Sequence, residues 1–300
     1  MIRKTNMREG RPSLTAVGIA AVRAIETSKP ADERICSDPL AREFVSTWLY
    51  LLLKFFVDIG YAEVAGAGVF GFLVARDRYI DDYLQACLDE GIEQLVLLGA
   101  GYDTRAYRFE RLRQGARVFE VDHPATQREK AGKIKTILGA LPDHVVYVPI
   151  DFNTDKLDER LYASGYEKGC KTLFIWQGVT PYLTAEAIDE TLAFVAGNSA
   201  PGSAIIFDYF YSSLLNGTTR HGEVKRMRRM RFVSGERLTF SIPQGSVEAF
   251  LGARGFDRIH DLPSEKLHDL YFSGKNAKRK VTGGYAIVSA RVRLQPSMPE

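Results

Sequence analysis

Residues 95–105 read LVLLGAGYDTR, and they constrain the fold more than any other part of the chain. The apolar run 95–98 is too short for a helix and suits a strand buried on both faces. It enters a turn, Gly99-Ala100-Gly101, where missing Cβ atoms let the backbone bend sharply and approach a ligand. A helix-start signal, Asp103-Thr104, follows. Strand, glycine turn and helix open a doubly wound α/β sheet, whose ligands sit beyond the carboxyl ends of its strands.

The same alternation continues downstream. Segments 95–99, 117–121, 144–150, 171–176 and 203–209 read as strands, separated by helical segments at 103–113, 124–138, 155–163 and 184–196. Strands spaced by helices imply parallel βαβ units. The pattern lapses over 211–243, too long for a connector, and an inserted lid after the fifth strand is expected there. It resumes with a helix at 245–254 and strands at 257–262 and 283–292. Ahead of the sheet, periodicity predicts helices over 15–28, from Asp38-Pro39 towards 57, and over 70–90. The expected organisation is an N-terminal helical cap over 1–90 and an α/β core over 91–300.

Composition narrows the function. Apolar content of 45% and charged content of 26% are those of an ordinary soluble globular protein, and three scattered cysteines suit a reducing cytoplasm. Forty basic against 37 acidic residues leave +3, which is no nucleic-acid footprint. Cys36, Cys87 and Cys170 are too far apart to frame a disulfide network or a metal cluster, so no metal is expected. Residues 1–11 are basic and polar, without the apolar core of a secretory signal. The most apolar stretch, 48–74, carries Lys54, Asp58 and Glu63 and four glycines, which rules out a membrane span. It is expected to form amphipathic helices in the core; the alternative is an apolar wall over the site or a contact with an apolar partner.

The glycine turn also discriminates between cofactors. A dinucleotide site would carry a third glycine where Thr104 stands, and Asp103 is a poor neighbour for a pyrophosphate but a good one for a cation. Asp122 ends the second strand, 21 positions after Gly101, where an acid can accept from both ribose hydroxyls. A phosphate-free nucleoside with a positive centre meets both conditions, and S-adenosylmethionine (SAM) is such a molecule. The competing reading is a tight turn with Asp103 as a helix cap and Asp122 at the surface.

Together, GAGYDTRAYR, FEVDHP, PIDF, GVTPYL and GGYAIVSARV resemble the leucine carboxyl methyltransferase-like class I SAM-dependent methyltransferases, in particular their bacterial O-methyltransferase branch. The resemblance runs from about residue 11 to 293. It implies a Rossmann-like seven-stranded sheet with a helical cap and an insertion after the fifth strand. It implies roles for single residues as well. Arg76 would pair with the methionine carboxylate of SAM, Gly99 and Gly101 would lie against the cofactor, and Asp122 would hold the ribose. Asp151 and Phe152 would flank the adenine, and Tyr182 would point towards the methyl group or acceptor. Gln177 stands where the family usually has a glutamate; the amide keeps a hydrogen bond to the SAM amino group and forgoes a charge-assisted increment of about 1–2 kcal/mol.

Methyl transfer from a sulfonium is an in-line substitution that chiefly requires alignment and exclusion of water. A carboxylate acceptor is already ionised; a phenol or alcohol needs a base. Of five histidines, only His221, in the expected lid, is a candidate base, and this scarcity favours a carboxylate acceptor. Arg228 and Arg231 in the lid, with Tyr209 and Tyr211 at the end of the fifth strand, are expected to line a cavity for an acidic aromatic molecule. The functions in view are a SAM-dependent O-methyltransferase for a small acidic natural product, a protein C-terminal carboxyl methyltransferase, and a non-catalytic SAM-binding module. A nicotinamide dehydrogenase is disfavoured by the absent third glycine. A homo-oligomer is compatible with the sequence.

Overall fold

The computed structural model describes residues 14–61, 68–152, 154–216 and 238–293. Seven strands form one sheet in the order β3-β2-β1-β4-β5-β7-β6. They are β1 (Gln94–Leu98), β2 (Arg117–Asp122), β3 (Val145–Pro149), β4 (Thr172–Trp176), β5 (Ala204–Phe210), β6 (Phe256–Pro263) and β7 (Tyr285–Val292). The first five are parallel, and β7 lies antiparallel between β5 and β6. The winding reverses between β1 and β4, which opens a crevice beyond their carboxyl ends.

Every residue of β1 and β4 is buried, which is why both read as unbroken apolar runs. Leu95, Leu97, Ile175 and Ile206 face one layer, against Ile25 of α1 (Leu14–Thr27), Ile80 and Leu84 of α3 (Val69–Asp89) and Ile134 of α6 (Pro124–Leu138). Val96, Leu98, Phe174 and Phe207 face the other, against Leu161 of α7 (Leu157–Ala163), Leu192 of α8 (Ala185–Gly197) and Leu251 of α10 (Val247–Gly252). The first-layer helices thus share one apolar core with the sheet.

Three expectations need correction. The helix predicted from Asp38 towards 57 is broken. Asp38 Oδ1 accepts from the amides of Leu40 (3.2 Å) and Ala41 (3.1 Å) and caps only a 3₁₀ turn, Ala41–Phe44. Val45 and Ser46 are extended, and α2 (Thr47–Asp58) starts afresh. The break lets Phe44 and Val45 both bury, with Phe44 stacked on Tyr102 at 4.8 Å. The helix expected at 103–113 is two short ones, α4 (Arg105–Arg108) and α5 (Glu110–Gly115), parted by extended Phe109, and Arg113 donates to the Tyr107 carbonyl at 2.8 Å. The apolar stretch 48–74 is only partly core. Helix α3 buries Phe70, Phe72 and Val74, whereas α2 buries no residue, leaving Trp48 72% and Phe55 58% exposed. Helix α2 is apolar apart from Thr47 and the Lys54–Asp58 pair, and Leu49, Tyr50, Leu53 and Val57 turn towards the core. A helix absent from the sequence reading, α11 (Ser264–Tyr271), follows β6.

Much of the expected lid, residues 217–237, lies outside the described residues. Its flanks meet. Tyr211 forms a parallel bridge with Ile242, and the amide of Thr239 donates to the Pro181 carbonyl at 2.7 Å. The insertion therefore leaves and returns beside the ends of β4 and β5. No helix among the described residues is long and apolar enough to cross a membrane. No group of three metal-ligating side chains occurs among them either.

Candidate active site

The glycine turn and Asp122 are locked together at the crevice. Gly99 has φ +68° and Gly101 φ +44°, both in the left-handed region. A Cβ on Gly99 would stand 2.4 Å from Cγ2 of Val179. The amides of Gly99 and Ala100 donate to the Val121 carbonyl at 2.8 and 3.0 Å, which draws the turn over β2. Gly101 N–H donates to Asp122 Oδ2, and His123 N–H to Oδ1 at 2.6 Å. Burial pushes the Asp122 carboxyl above its ordinary range, and these two amides oppose that shift. Two carboxylate oxygens offer about four acceptor positions, so Asp122 keeps capacity for further donors.

The next strand adds two of the expected residues. Ile150 N–H donates to the Asp122 carbonyl at 2.9 Å, which places Asp151 and Phe152 directly beyond it. The Asp151 carbonyl accepts from Thr154 and Asp155 at 3.0 and 2.8 Å, making a turn before α7. Phe152 is partly buried against the second layer.

Across the crevice, α3 delivers a set of charges. Arg76 is 2% exposed and pairs through Nη1 with Asp208 Oδ2 at 2.7 Å, while Asp208 Oδ1 accepts from Gly178 N–H at 2.6 Å. Its partner is thus Asp208 on β5, and neither Asp77 nor Asp81. Nε and Nη2 of Arg76 are buried with no hydrogen-bond partner among the described residues. Asp77 and Asp81 face Arg105. That guanidinium meets Asp81 at 2.7 Å, Asp77 at 3.3 Å, the Gln177 amide oxygen at 2.9 Å, and the Asp103 carboxylate. Burial opposes the charged forms, yet Arg105, then Lys130 and Arg23, hold Asp103 down at about 2. Asp103 Oδ1 also accepts from Arg105 N–H, the first amide of α4, at 2.8 Å, and Asp103 takes its cation from within the chain.

The sequence reading missed Asp77, Arg105 and Asp208 as neighbours of this site. The only trace was the dense alternation of charges in ARDRYIDD, because their partners lie on separate elements. Two tyrosines, Tyr209 and Tyr211, are expected along a cavity beneath the lid. Tyr209 and Tyr211 do not line the first-layer crevice; alternation along β5 turns them into the opposite layer, where Tyr209 OH donates to Asp261 at 2.9 Å. Asp208 and Phe210 occupy the expected side instead. Tyr182 ends the 3₁₀ turn Thr180–Tyr182, just past β4, and is partly exposed. His221, Arg228 and Arg231 lie outside the described residues. A shallow depression of about 360 Å³, lined by Glu43, Arg128, Lys133 and Thr136, runs along α6 and gathers none of the predicted site residues.

The leucine carboxyl methyltransferase family model matches residues 16–196, more than half of the chain, including β1 to β4 but not β5. The chain belongs to that family. Among similar proteins, the candidate SAM-dependent methyltransferase YktD of Bacillus subtilis is 34% identical over 202 residues, spanning 67% of this chain and 66% of the relative. The chain thus spans just under two thirds of that relative's length. A candidate SAM-dependent methyltransferase of Frankia alni is 36% identical over 65% of this chain and 68% of its own. One of Mycobacterium bovis is 29% identical over 84% and 82%. Among solved structures, magnesium protoporphyrin IX methyltransferase from Synechocystis, with bound S-adenosylhomocysteine, aligns at TM-score 0.46 and 13% identity over 74% of this chain and 85% of its own. The Gln177 side chain is bonded to both Arg105 and Asp77.

Proposed function

We propose that this chain is a SAM-dependent O-methyltransferase that esterifies a carboxylate of a small acidic molecule. The observation that carries the cofactor reading is the pairing of opposite ends of one crevice. At one end Asp122 is clamped to a glycine turn with acceptor capacity to spare. At the other, Arg76 keeps two buried nitrogens that have no hydrogen-bond partner among the described residues. An adenosyl group linked to an amino-acid carboxylate answers both. The residues present therefore fit SAM: Arg76 would take its carboxylate, Asp122 its ribose hydroxyls, and Asp151 with Phe152 its adenine. Gly99 and Gly101 let it lie against the backbone, and Gln177 stands beside its amino-acid end. When bound, SAM supplies a methyl group on a positively charged sulfur. The chain's task is then to align an acceptor oxygen and keep water out.

Histidine supports a carboxylate acceptor. Among the described residues, His123 is the one at a crevice-forming strand end, and its Nδ1 accepts from Ala125 N–H as the cap of α6. His144 bonds the Ala106 carbonyl at 2.8 Å, His260 is exposed on the edge strand, and His268 stacks on Phe272. An ionised acceptor needs none of them. Tyr182 and Phe210 are the residues proposed to meet it; His221, Arg228 and Arg231 stay in the proposal as lid residues.

A second reading, methylation of a protein C-terminus, draws support from α2. Its exposed Trp48, Leu51 and Phe55, with Ile59 just past its end, would suit a docked chain. Calorimetry with SAM on wild type and Asp122→Ala tests the shared foundation: micromolar binding, lost or weakened at least tenfold in the variant, is expected. Methyl-labelled SAM with fractionated extract separates the readings, according to whether label enters small molecules or protein. Absence of heat with SAM on the wild type refutes both.

A further inference from the structure

Next to Arg76 on α3 sits a second buried group without a complete set of partners. Asp77 is 1% exposed. Its Oδ1 accepts from Gln177 Nε2 at 3.2 Å and from Arg105 Nη2 at 3.3 Å, with Arg23 at 3.9 Å. Its Oδ2 is buried and has no hydrogen-bond partner among the described residues. A buried carboxylate oxygen left unpaired is costly and calls for a donor.

Charge makes the same point. Ion pairs link Arg23, Arg105 and Arg108 with Asp38, Asp77, Asp81 and Asp103 in one cluster. Among the described residues, three guanidiniums face four carboxylates, which leaves one negative charge uncompensated within the cluster. The neighbouring pair, Arg76 and Asp208, is neutral as a unit. Gln177 touches the cluster but, as an amide, adds no charge.

Position completes the argument. Arg76 and Asp77 reach consecutive residues at the end of β4. A Cβ on Gly178 would lie 3.4 Å from Arg76 Nη1, and Asp77 holds the Gln177 amide. Unpartnered donors on Arg76 and an unpartnered acceptor on Asp77 thus flank the same strand end, the two halves of a zwitterion receptor.

We propose that Asp77 Oδ2 binds the α-ammonium of SAM, while Arg76 holds its carboxylate, so that Asp77 supplies the anion that Gln177 lacks. This rests on the cofactor reading above. The test measures dissociation constants by calorimetry for S-adenosylhomocysteine and for its deaminated analogue, the adenosyl thioether of 4-mercaptobutyrate. The analogue keeps the carboxylate and lacks the ammonium. Wild type should prefer S-adenosylhomocysteine at least tenfold. Asp77→Asn should bring that preference to within threefold of unity by weakening S-adenosylhomocysteine alone. Asp77→Asn combined with Gln177→Glu, which preserves the cluster's charge, should restore it.

A wild-type preference near unity overturns the assignment without recourse to any variant. So does an undiminished preference in Asp77→Asn, or equal weakening of both ligands, which is the mark of a structural role. Wild type that binds neither ligand overturns the cofactor reading itself, and the assignment with it.

Discussion

Replacing Arg105 by methionine isolates the charge on which the crevice wall depends. The guanidinium is 1% exposed and touches Asp77, Asp81 and Asp103, whose side chains are 2%, 13% and 13% exposed. Methionine keeps the volume and strands those carboxylates in a low-dielectric site. Breaking a buried ion pair from one side costs about 3–5 kcal/mol. Unfolding entropy for a chain this long is about 0.6 kcal/mol/K, so the melting temperature should fall by roughly 5–8 °C. The pH dependence follows from Asp103. Arg105 is its chief cation and holds it at about 2 against an ordinary 3.8. A depressed carboxyl pKa stabilises the fold above 3.8 and loses that contribution as pH falls towards 2. By pH 3 the wild type should have lost about 1 kcal/mol from this group, of which the variant lacks the share supplied by Arg105, the largest of the three cations. Urea titrations at pH 7 and pH 3 should therefore show a deficit that is largest at neutrality and shrinks by up to about 1 kcal/mol in acid. A deficit below about 1 kcal/mol at pH 7, or one that widens on acidification, refutes this account of the cluster.

The remaining predictions are structural. Gly99→Ala should cost about 2–4 kcal/mol, from left-handed backbone plus collision with Val179. Gly101→Ala, whose nearest neighbour would be 3.5 Å away, should cost only about 1 kcal/mol; equal losses in chemical denaturation would contradict the contact analysis. Lys130→Met should destabilise by about 3–5 kcal/mol, because Glu120, paired with it at 2.8 Å, is 1% exposed. Adding Glu120→Leu should recover most of that loss, and no recovery would mean the pair is not the cause. Phe55→Ser on α2 should change stability by less than about 0.5 kcal/mol, since its ring is already in water; a drop beyond about 2 kcal/mol in the melt would show that the ring is covered in solution.

Local chemistry made much of the architecture legible before any coordinates. Strands buried on both faces announce themselves as apolar runs, so β1 and β4 were placed to within a residue. The helix predicted over 124–138 coincides with α6, where Pro124 follows the capping His123 and Gly139, in the left-handed region, ends the helix. The glycine turn and Asp122 were readable for the same reason: a positive φ and a strand-end acid are properties of short segments. Long-range pairing left no such mark. Nothing local to Arg76 says that its partner is Asp208, 132 positions away, or that Asp77 and Arg105 close on Gln177. Strand alternation sent Tyr209 to one layer and Asp208 to the other, a choice set by which face each helix covers. Helix α2 shows the same limit, since an apolar helix becomes core only where a partner surface arrives to bury it. Sequence alone determined the seven strands and the turn that shapes the crevice. The tertiary structure decided which charges meet across it, because Coulomb and hydrogen-bond energies depend on distances that only the packed chain sets.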